Sequence, residues 1–209
     1  MEIKKLFGIE NKVAIVTGGS RGIGEMITSG FLANGVKVYI SARKAPALIE
    51  KAKELSDRYQ QECIPVPSDL STIEGIESFV GSISEKEEGI DFLINNAGAA
   101  WGEPFETFSE QGWDKVMDLN VKSMFFLTQK LKSHLLKRCT LDDPSRVINI
   151  GSIDGLNVPA LETFSYSASK ASVHHLTRVM AAKLVKENIL VNAIAPGPYP
   201  SSMLGAAVN

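Results

Sequence analysis

Short, almost wholly apolar runs recur along the chain, separated by longer segments in which apolar residues fall on one side. The runs are Val13–Val16, Val36–Ile40, Ile64–Val66, Phe92–Ile94, Val147–Ile150 and Ile189–Ile194. Continuous hydrophobicity, rather than apolar–polar alternation, is the pattern of strands covered on both faces. Between the runs, the spacing predicts helices. Residues 46–60 open with Pro46, favoured in a first turn, and place Leu48, Ala52 and Leu55 on one face. Ser71-Thr72-Ile73-Glu74 is a capping-box sequence ahead of Ile76, Phe79, Val80 and Ile83. Ser109 is placed to cap a long helical region reaching about Lys137. Further helices are predicted to start near Arg21 and to run from about Phe164 to Lys186.

Strand–helix–strand alternation implies parallel strands joined by right-handed crossovers. The expected fold is therefore α/β: a doubly wound, Rossmann-type parallel sheet with helices on both faces, and residues 1–209 form one domain. Such sheets bind ligands beyond the carboxyl ends of their strands, near the switch in strand order. Thr17–Gly24, Ser41–Arg43, Asp69, Asn95–Gly98, Ser152 and Pro196-Gly197 all follow predicted strand ends, which places them at one site.

Composition narrows the function. Of the 209 residues 44% are hydrophobic and 22% charged, and the net charge of -2 gives no electrostatic reason to expect nucleic acid or an anionic membrane as partner. Leu6–Ile9, after Lys4 and Lys5, is too short for a signal-peptide core, and no apolar stretch approaches membrane-spanning length. Cys63 and Cys139 lie far apart without metal spacing and read as reduced thiols in a cytoplasmic setting, with a single disulfide left open. His134, His174 and His175 have no acidic or cysteine partner at metal spacing and are expected at surface or packed helical positions. Trp101 and Trp113 read as packing residues, Trp101 also being placed to border a substrate cleft. Glu85-Lys86-Glu87-Glu88 reads as a solvated helix end.

Two constellations carry chemistry. Gly18, Gly22 and Gly24, in Thr17-Gly18-Gly19-Ser20-Arg21-Gly22-Ile23-Gly24, fall between the first strand and the first helix. Missing β-carbons permit a tight turn and close approach of backbone to a pyrophosphate, and a helix N-terminus favours its charge. A glycine-rich turn without a ligand has the same spacing. The second strand ends in Ser41-Ala42-Arg43, with no Asp or Glu to accept ribose hydroxyls. Arg21 and Arg43 instead suit a 2′-phosphate, which favours NADPH. Asp69 is suited to accept from an adenine amino group, to cap the next helix, or to do both.

At the other end Tyr166 and Lys170, four residues apart, share one helix face, with Ser152 upstream. A nearby ammonium is expected to lower the phenol's pKa, so that Tyr166 exchanges a proton with a substrate oxygen while Ser152 orients that oxygen. A packed tyrosine with its hydroxyl in water is the plain alternative.

Taken together these residues resemble the short-chain dehydrogenase/reductase family, in its Tyr-x-x-x-Lys branch, over nearly the whole chain. Thr17–Gly24 fits its glycine turn, Asn95-Asn96-Ala97-Gly98 its fourth-strand motif and Pro196-Gly197 its sixth-strand motif. The resemblance implies a catalytic tetrad of Asn120, Ser152, Tyr166 and Lys170. Asn120 would interrupt its helix and bind a water linking Lys170 to solvent, and Lys170 would hold the nicotinamide ribose. Cofactor contacts are implied at Thr17, Gly18, Ser20, Arg21, Gly22, Ile23, Gly24 and Arg43. They continue through Asp69, Leu70, Asn96, Ala97, Gly98, Tyr166, Lys170, Pro196 and Gly197, and Ser201 stands where a hydroxyl contacts the carboxamide. Thr17 would tie the fourth-strand loop to the first turn.

Among family members the chain looks like NADPH-dependent 3-oxoacyl reductases, which implies a small carbonyl substrate carried on CoA or acyl carrier protein and a homodimer or homotetramer. Sugar, steroid or other alcohol dehydrogenases share most features, and an NADP-binding scaffold without turnover is a third reading. Family chains usually continue for several dozen residues beyond the Pro-Gly pair, so this one is expected to lack a substrate-covering segment and a last strand.

Overall fold

A computed structural model describes residues 7–199. One sheet contains β1 Val13–Thr17, β2 Lys37–Ala42, β3 Cys63–Pro67, β4 Phe92–Asn95, β5 Ser145–Ile150 and β6 Ile189–Ile194. Its order is β3-β2-β1-β4-β5-β6 and every neighbouring pair is parallel. The helices are α1 Gly22–Ala33, α2 Ala45–Tyr59, α3 Ile73–Ser84, α4 Glu110–Met117, α5 Ser123–Arg138 and α6 Phe164–Leu184. This is the doubly wound sheet expected, with the order reversing between β1 and β4.

Both faces of the sheet are dry. Val13, Ile15, Tyr39, Leu93 and Val147 pack with Phe79 of α3, Leu127 and Leu131 of α5 and Val173 of α6. Their neighbours in sequence, Ala14, Val16, Val38, Ile40 and Ile94, pack on the other face with Leu32 of α1 and Leu48 and Leu55 of α2. Successive strand residues point to opposite faces, so two buried faces require apolar residues at every position. Full burial of each such side chain contributes about 1.5–3 kcal/mol.

Local chemistry sets where the helices begin. The capping frame at α3 differs from expectation: Thr72, not Ser71, is the N-cap, and its hydroxyl accepts from Gly75 N at 3.0 Å. Ser71 is already engaged, since Asp69 Oδ1 accepts from its hydroxyl at 2.7 Å and its N–H at 3.1 Å. Gly75 then sits so close to the preceding chain that a β-carbon would lie 1.8 Å from the Asp69 carbonyl oxygen. Ser109 does cap α4, accepting from Gly112 N at 3.2 Å. Between α4 and α5 the helix widens through a π turn, Asp118–Lys122, which contains Asn120.

The acidic run is not uniformly solvated. Glu87 accepts a 2.7 Å hydrogen bond from the hydroxyl of fully buried Tyr39 and pairs with Lys37 at 2.8 Å. A buried phenol needs a partner, and the segment just after α3 supplies it.

β3 forms one edge of the sheet. Val38 N donates to Glu62 O at one end of the β2–β3 ladder and Ser68 N donates to Ala42 O at the other. That phase turns the odd-numbered residues of β3 outward: Cys63, whose N–H donates to Ser56 Oγ at 2.9 Å, and the prolines at 65 and 67.

Candidate active site

β1 delivers the chain into a turn that only glycine adopts comfortably: Gly18 and Gly22 have φ of 64° and 56°, in the left-handed region. α1 starts at Gly22 with Arg21 as an extended N-cap whose side chain makes no capping bond, so first-turn N–H groups are left for a ligand. The floor of the cradle is closed. A β-carbon on Gly24 would lie 2.2 Å from Gly18 O and 2.5 Å from Asn96 Nδ2. Thr17 fastens the two sides of the strand-order switch, as expected. Its buried hydroxyl accepts from the N–H groups of Asn96 and Ala97, each at 2.9 Å, and donates to Ile94 O at 3.3 Å. The Asn96 amide donates back to Thr17 O at 2.9 Å and Gly18 O at 3.3 Å.

These residues fit a dinucleotide. Beyond the free N–H groups, Arg21 and Arg43 are exposed and enter no ion pair among the described residues. Gly18 N donates to Ser41 O at 2.9 Å, joining the end of β2 to the turn, and no acid stands there. The Ser71 hydroxyl holds the Asp69 carboxyl below its ordinary range, with the Ser71 N–H and Arg43 assisting against partial burial. Ser20 and Ile23 are half-buried within the turn. The Leu70 side chain is buried in the core. Pro196 O accepts from Ile153 N at 3.1 Å, and Gly197 faces open space. Ser201 lies outside the described residues.

The chemical groups assemble beyond β5. The buried Ser152 hydroxyl accepts from Asp154 N at 3.1 Å, which leaves its own proton available to another acceptor. The turn 153–155 rests on α6, where a β-carbon on Gly155 would lie 2.5 Å from the Lys170 carbonyl carbon. Lys170 is 6% exposed; its Nζ donates to Ile150 O at 2.7 Å and lies 5.5 Å from the centre of the Tyr166 ring. Asn120 is buried in the π turn, and its side chain holds two elements together. Oδ1 accepts from Ala99 N at 2.8 Å, while Nδ2 donates to Ala99 O and Ser169 Oγ, both at 2.9 Å. The amide thus ties the loop after β4, including Gly98, to α6.

One expectation is corrected. Among the chain's own groups, Tyr166 is not made more acidic. Burial pushes its phenol up, the Ser152 hydroxyl pulls it down and the Asp154 carboxylate pushes it up again. Burial also lowers Lys170, to about 8. Desolvation penalises the charged form of each group.

His174 has a place that its lack of a metal partner did not suggest. Its Nε2 donates to the Ser152 carbonyl at 2.9 Å, and its ring covers Gly151, where a β-carbon would lie 2.3 Å from Cε1. The available signal was spacing: His174 follows Lys170 by four residues and Tyr166 by eight, on the same face of α6. His175 is exposed and His134 meets Ser84 Oγ at 3.1 Å, in keeping with surface and packed positions. Trp101 packs over Gly112, under Lys115 Nζ at 4.1 Å. Both cysteines are free.

A phenol and a hydroxyl set to exchange a proton with an oxygen, one strand end away from a diphosphate cradle, are the equipment of a nucleotide-dependent oxidoreductase. The chain belongs to the short chain dehydrogenase family, whose pattern matches residues 12–208. It is 43% identical over 197 residues to the rhamnolipids biosynthesis 3-oxoacyl-[acyl-carrier-protein] reductase of Pseudomonas aeruginosa, covering 94% of this chain and 76% of that protein. It is also 36% identical over 200 residues to a 2-dehydro-3-deoxy-D-gluconate 5-dehydrogenase of Escherichia coli, covering 93% and 74%. Among solved structures, the P. aeruginosa RhlG/NADP active-site complex superposes with a TM-score of 0.93 at 41% identity, over 100% of this chain and 80% of that one. L-sorbose reductase of Gluconobacter frateurii, complexed with NADPH and L-sorbose, gives 0.86 at 30%, over 92% and 72%.

Proposed function

We propose that this oxidoreductase reduces the carbonyl of a 3-oxoacyl thioester, carried on CoA or acyl carrier protein, to a hydroxyl at the expense of NADPH. The observation that carries the reading is the convergence of Ser152, Tyr166 and buried Lys170 at the β5–α6 junction, beside a cradle with two exposed arginines. When bound, NADPH supplies the hydride. The Ser152 hydroxyl, which accepts from Asp154 N, donates to the substrate oxygen and fixes its place. Tyr166, kept protonated by burial, delivers the proton as charge develops on that oxygen. Lys170, lowered to about 8, holds or passes a proton near neutrality more readily than an exposed lysine. Asn120 keeps the loop after β4 against α6, and Arg21 and Arg43 receive the 2′-phosphate.

The thioester reading is supported by the name of the P. aeruginosa relative. The gluconate dehydrogenase and sorbose reductase relatives support a second reading, a sugar or sugar acid as substrate. Exposed Phe105, Trp113, Phe125 and Phe164 suit burial in a homo-oligomer. No helix among the described residues is long and apolar enough to cross a membrane; a cytoplasmic setting is part of the proposal. Following NADPH absorbance with acetoacetyl thioesters, simple ketones and sugars tests the substrate class. Replacing Tyr166 with Phe should cut turnover by about 10²–10⁴-fold while NADPH binding persists. Turnover of sugars alone would establish the second reading, and NADPH binding without its oxidation by any of these substrates would establish a scaffold.

A further inference from the structure

We infer that His174 is a positioning residue for the reaction, acting through Ser152. The inference rests on the proposed role of Ser152 at the substrate oxygen. The residue is held at three places. Its hydroxyl accepts from Asp154 N at 3.1 Å, the neighbouring Ile153 N donates to Pro196 O at 3.1 Å, and its carbonyl accepts from His174 Nε2 at 2.9 Å. The first two contacts come from the loops that follow β5 and β6. Among the described residues only the histidine hydrogen-bonds the Ser152 backbone to α6, the helix that carries Tyr166 and Lys170.

A carbonyl oxygen only accepts, so Nε2 must carry the proton. The ring's other contact sets the distance between strand end and helix. It lies against Gly151, so close that a β-carbon there would meet Cε1 at 2.3 Å and Nε2 at 2.7 Å. Glycine at 151 and histidine at 174 therefore form one joint: the missing side chain admits the ring, and the ring nitrogen reaches the next carbonyl. An error of a few tenths of an ångström in the placement of Ser152 relative to Tyr166 falls directly on proton transfer, because both hydroxyls must address one oxygen. His174 makes no contact with the reacting atoms and orients a group that does.

The test is a double-mutant cycle with a side-chain series. Glutamine places its amide nitrogen where Nε2 lies, whereas asparagine places it nearer Nδ1. His174→Asn and His174→Leu should lower kcat about tenfold, one neutral hydrogen bond's worth, with KM for NADPH little changed, and His174→Gln should recover kcat to within about threefold of the parent. In a Ser152→Ala background the same substitutions should have almost no further effect, because residues acting as a unit are not additive. Equal losses in both backgrounds overturn the inference, as does an asparagine variant as active as the glutamine variant. If Leu fails to fold, the Asn and Gln variants complete the cycle. A Ser152→Ala protein with full turnover overturns the role of Ser152 itself, and His174's with it; a slow Ser152→Ala protein with additive His174 losses overturns only the latter. Independently of turnover, the imidazole ¹⁵N spectrum of the protein at mildly alkaline pH should show a protonated Nε2, and a bare Nε2 excludes the bond.

Discussion

The Thr17 hydroxyl offers a sharp test of how the cradle is held. In Thr17→Val the side chain keeps its shape and loses one oxygen atom. That atom accepts from Asn96 N and Ala97 N, both at 2.9 Å, in a position 2% exposed. Each orphaned N–H costs about 1–3 kcal/mol if no water replaces the partner. The N–H groups belong to half-buried residues, and some relief by water brings the expected loss to about 2–4 kcal/mol. Thr17→Ser keeps the oxygen and loses one methyl, about 1 kcal/mol. For a chain of 209 residues, a loss of about 3 kcal/mol lowers Tm by roughly 6–12 °C. Urea titration and calorimetry of the two variants measure the difference, and fluorescence titration with NADPH measures its consequence for binding. The Asn96 amide, bonded to Thr17 O and Gly18 O, loses its anchor when the loop shifts, so the Val variant should also bind NADPH more weakly. A Val variant as stable as the Ser variant would refute the account, because the hydroxyl would then hold nothing that water cannot.

Further expectations follow from the charged groups. Lys170 has a lowered pKa, so the unfolded chain holds its proton more tightly and the folded state is penalised at neutral pH, the penalty fading as pH rises from about 8 toward the ordinary lysine range. Lys170→Met should thus lose turnover yet be more stable near neutrality, by on the order of 2 kcal/mol after the lost bond to Ile150 O, an advantage that shrinks in alkaline unfolding experiments; equal or lower stability at neutral pH counts against the burial argument. Asp154 raises the Tyr166 pKa, so Asp154→Asn should move the alkaline limb of the kcat/KM profile for reduction to lower pH, and a limb that stays or moves upward contradicts it. Arg43→Ala should weaken NADPH binding by about 10–100-fold and NADH binding far less, and equal losses for both would deny a 2′-phosphate contact.

The strands were legible because two dry faces demand apolar residues at each of positions Val13–Val16 in β1 and Phe92–Ile94 in β4, a signal that needs no tertiary knowledge. The glycine turn and the Tyr166–Lys170 spacing were equally local. What escaped depends on distant partners. Ser71 and Thr72 are interchangeable as caps in the pattern, and only the Asp69 carboxylate, turned toward Ser71, decides between them. Glu87 looks like any acidic residue at a helix end until Tyr39, forty-eight positions earlier, is found beneath it. The direction of the Tyr166 shift depends on burial, which spacing along a helix does not report. His174 was visible as a helix-face neighbour of the catalytic pair, but its partner is a main-chain carbonyl and leaves no mark in residue identities.

The outer border of β3 offers an incoming polypeptide no free main-chain donor. Three successive outward positions present no free donor, one N–H being spent on Ser56 and two never having existed, at Pro65 and Pro67. Sheet growth through that side is therefore interrupted at every second residue, a built-in guard against fibrillar stacking in a chain so rich in strand-forming runs. Pro65→Val would restore a donor there, and turbidity on gentle heating should reveal the lost protection before any change in catalysis is seen.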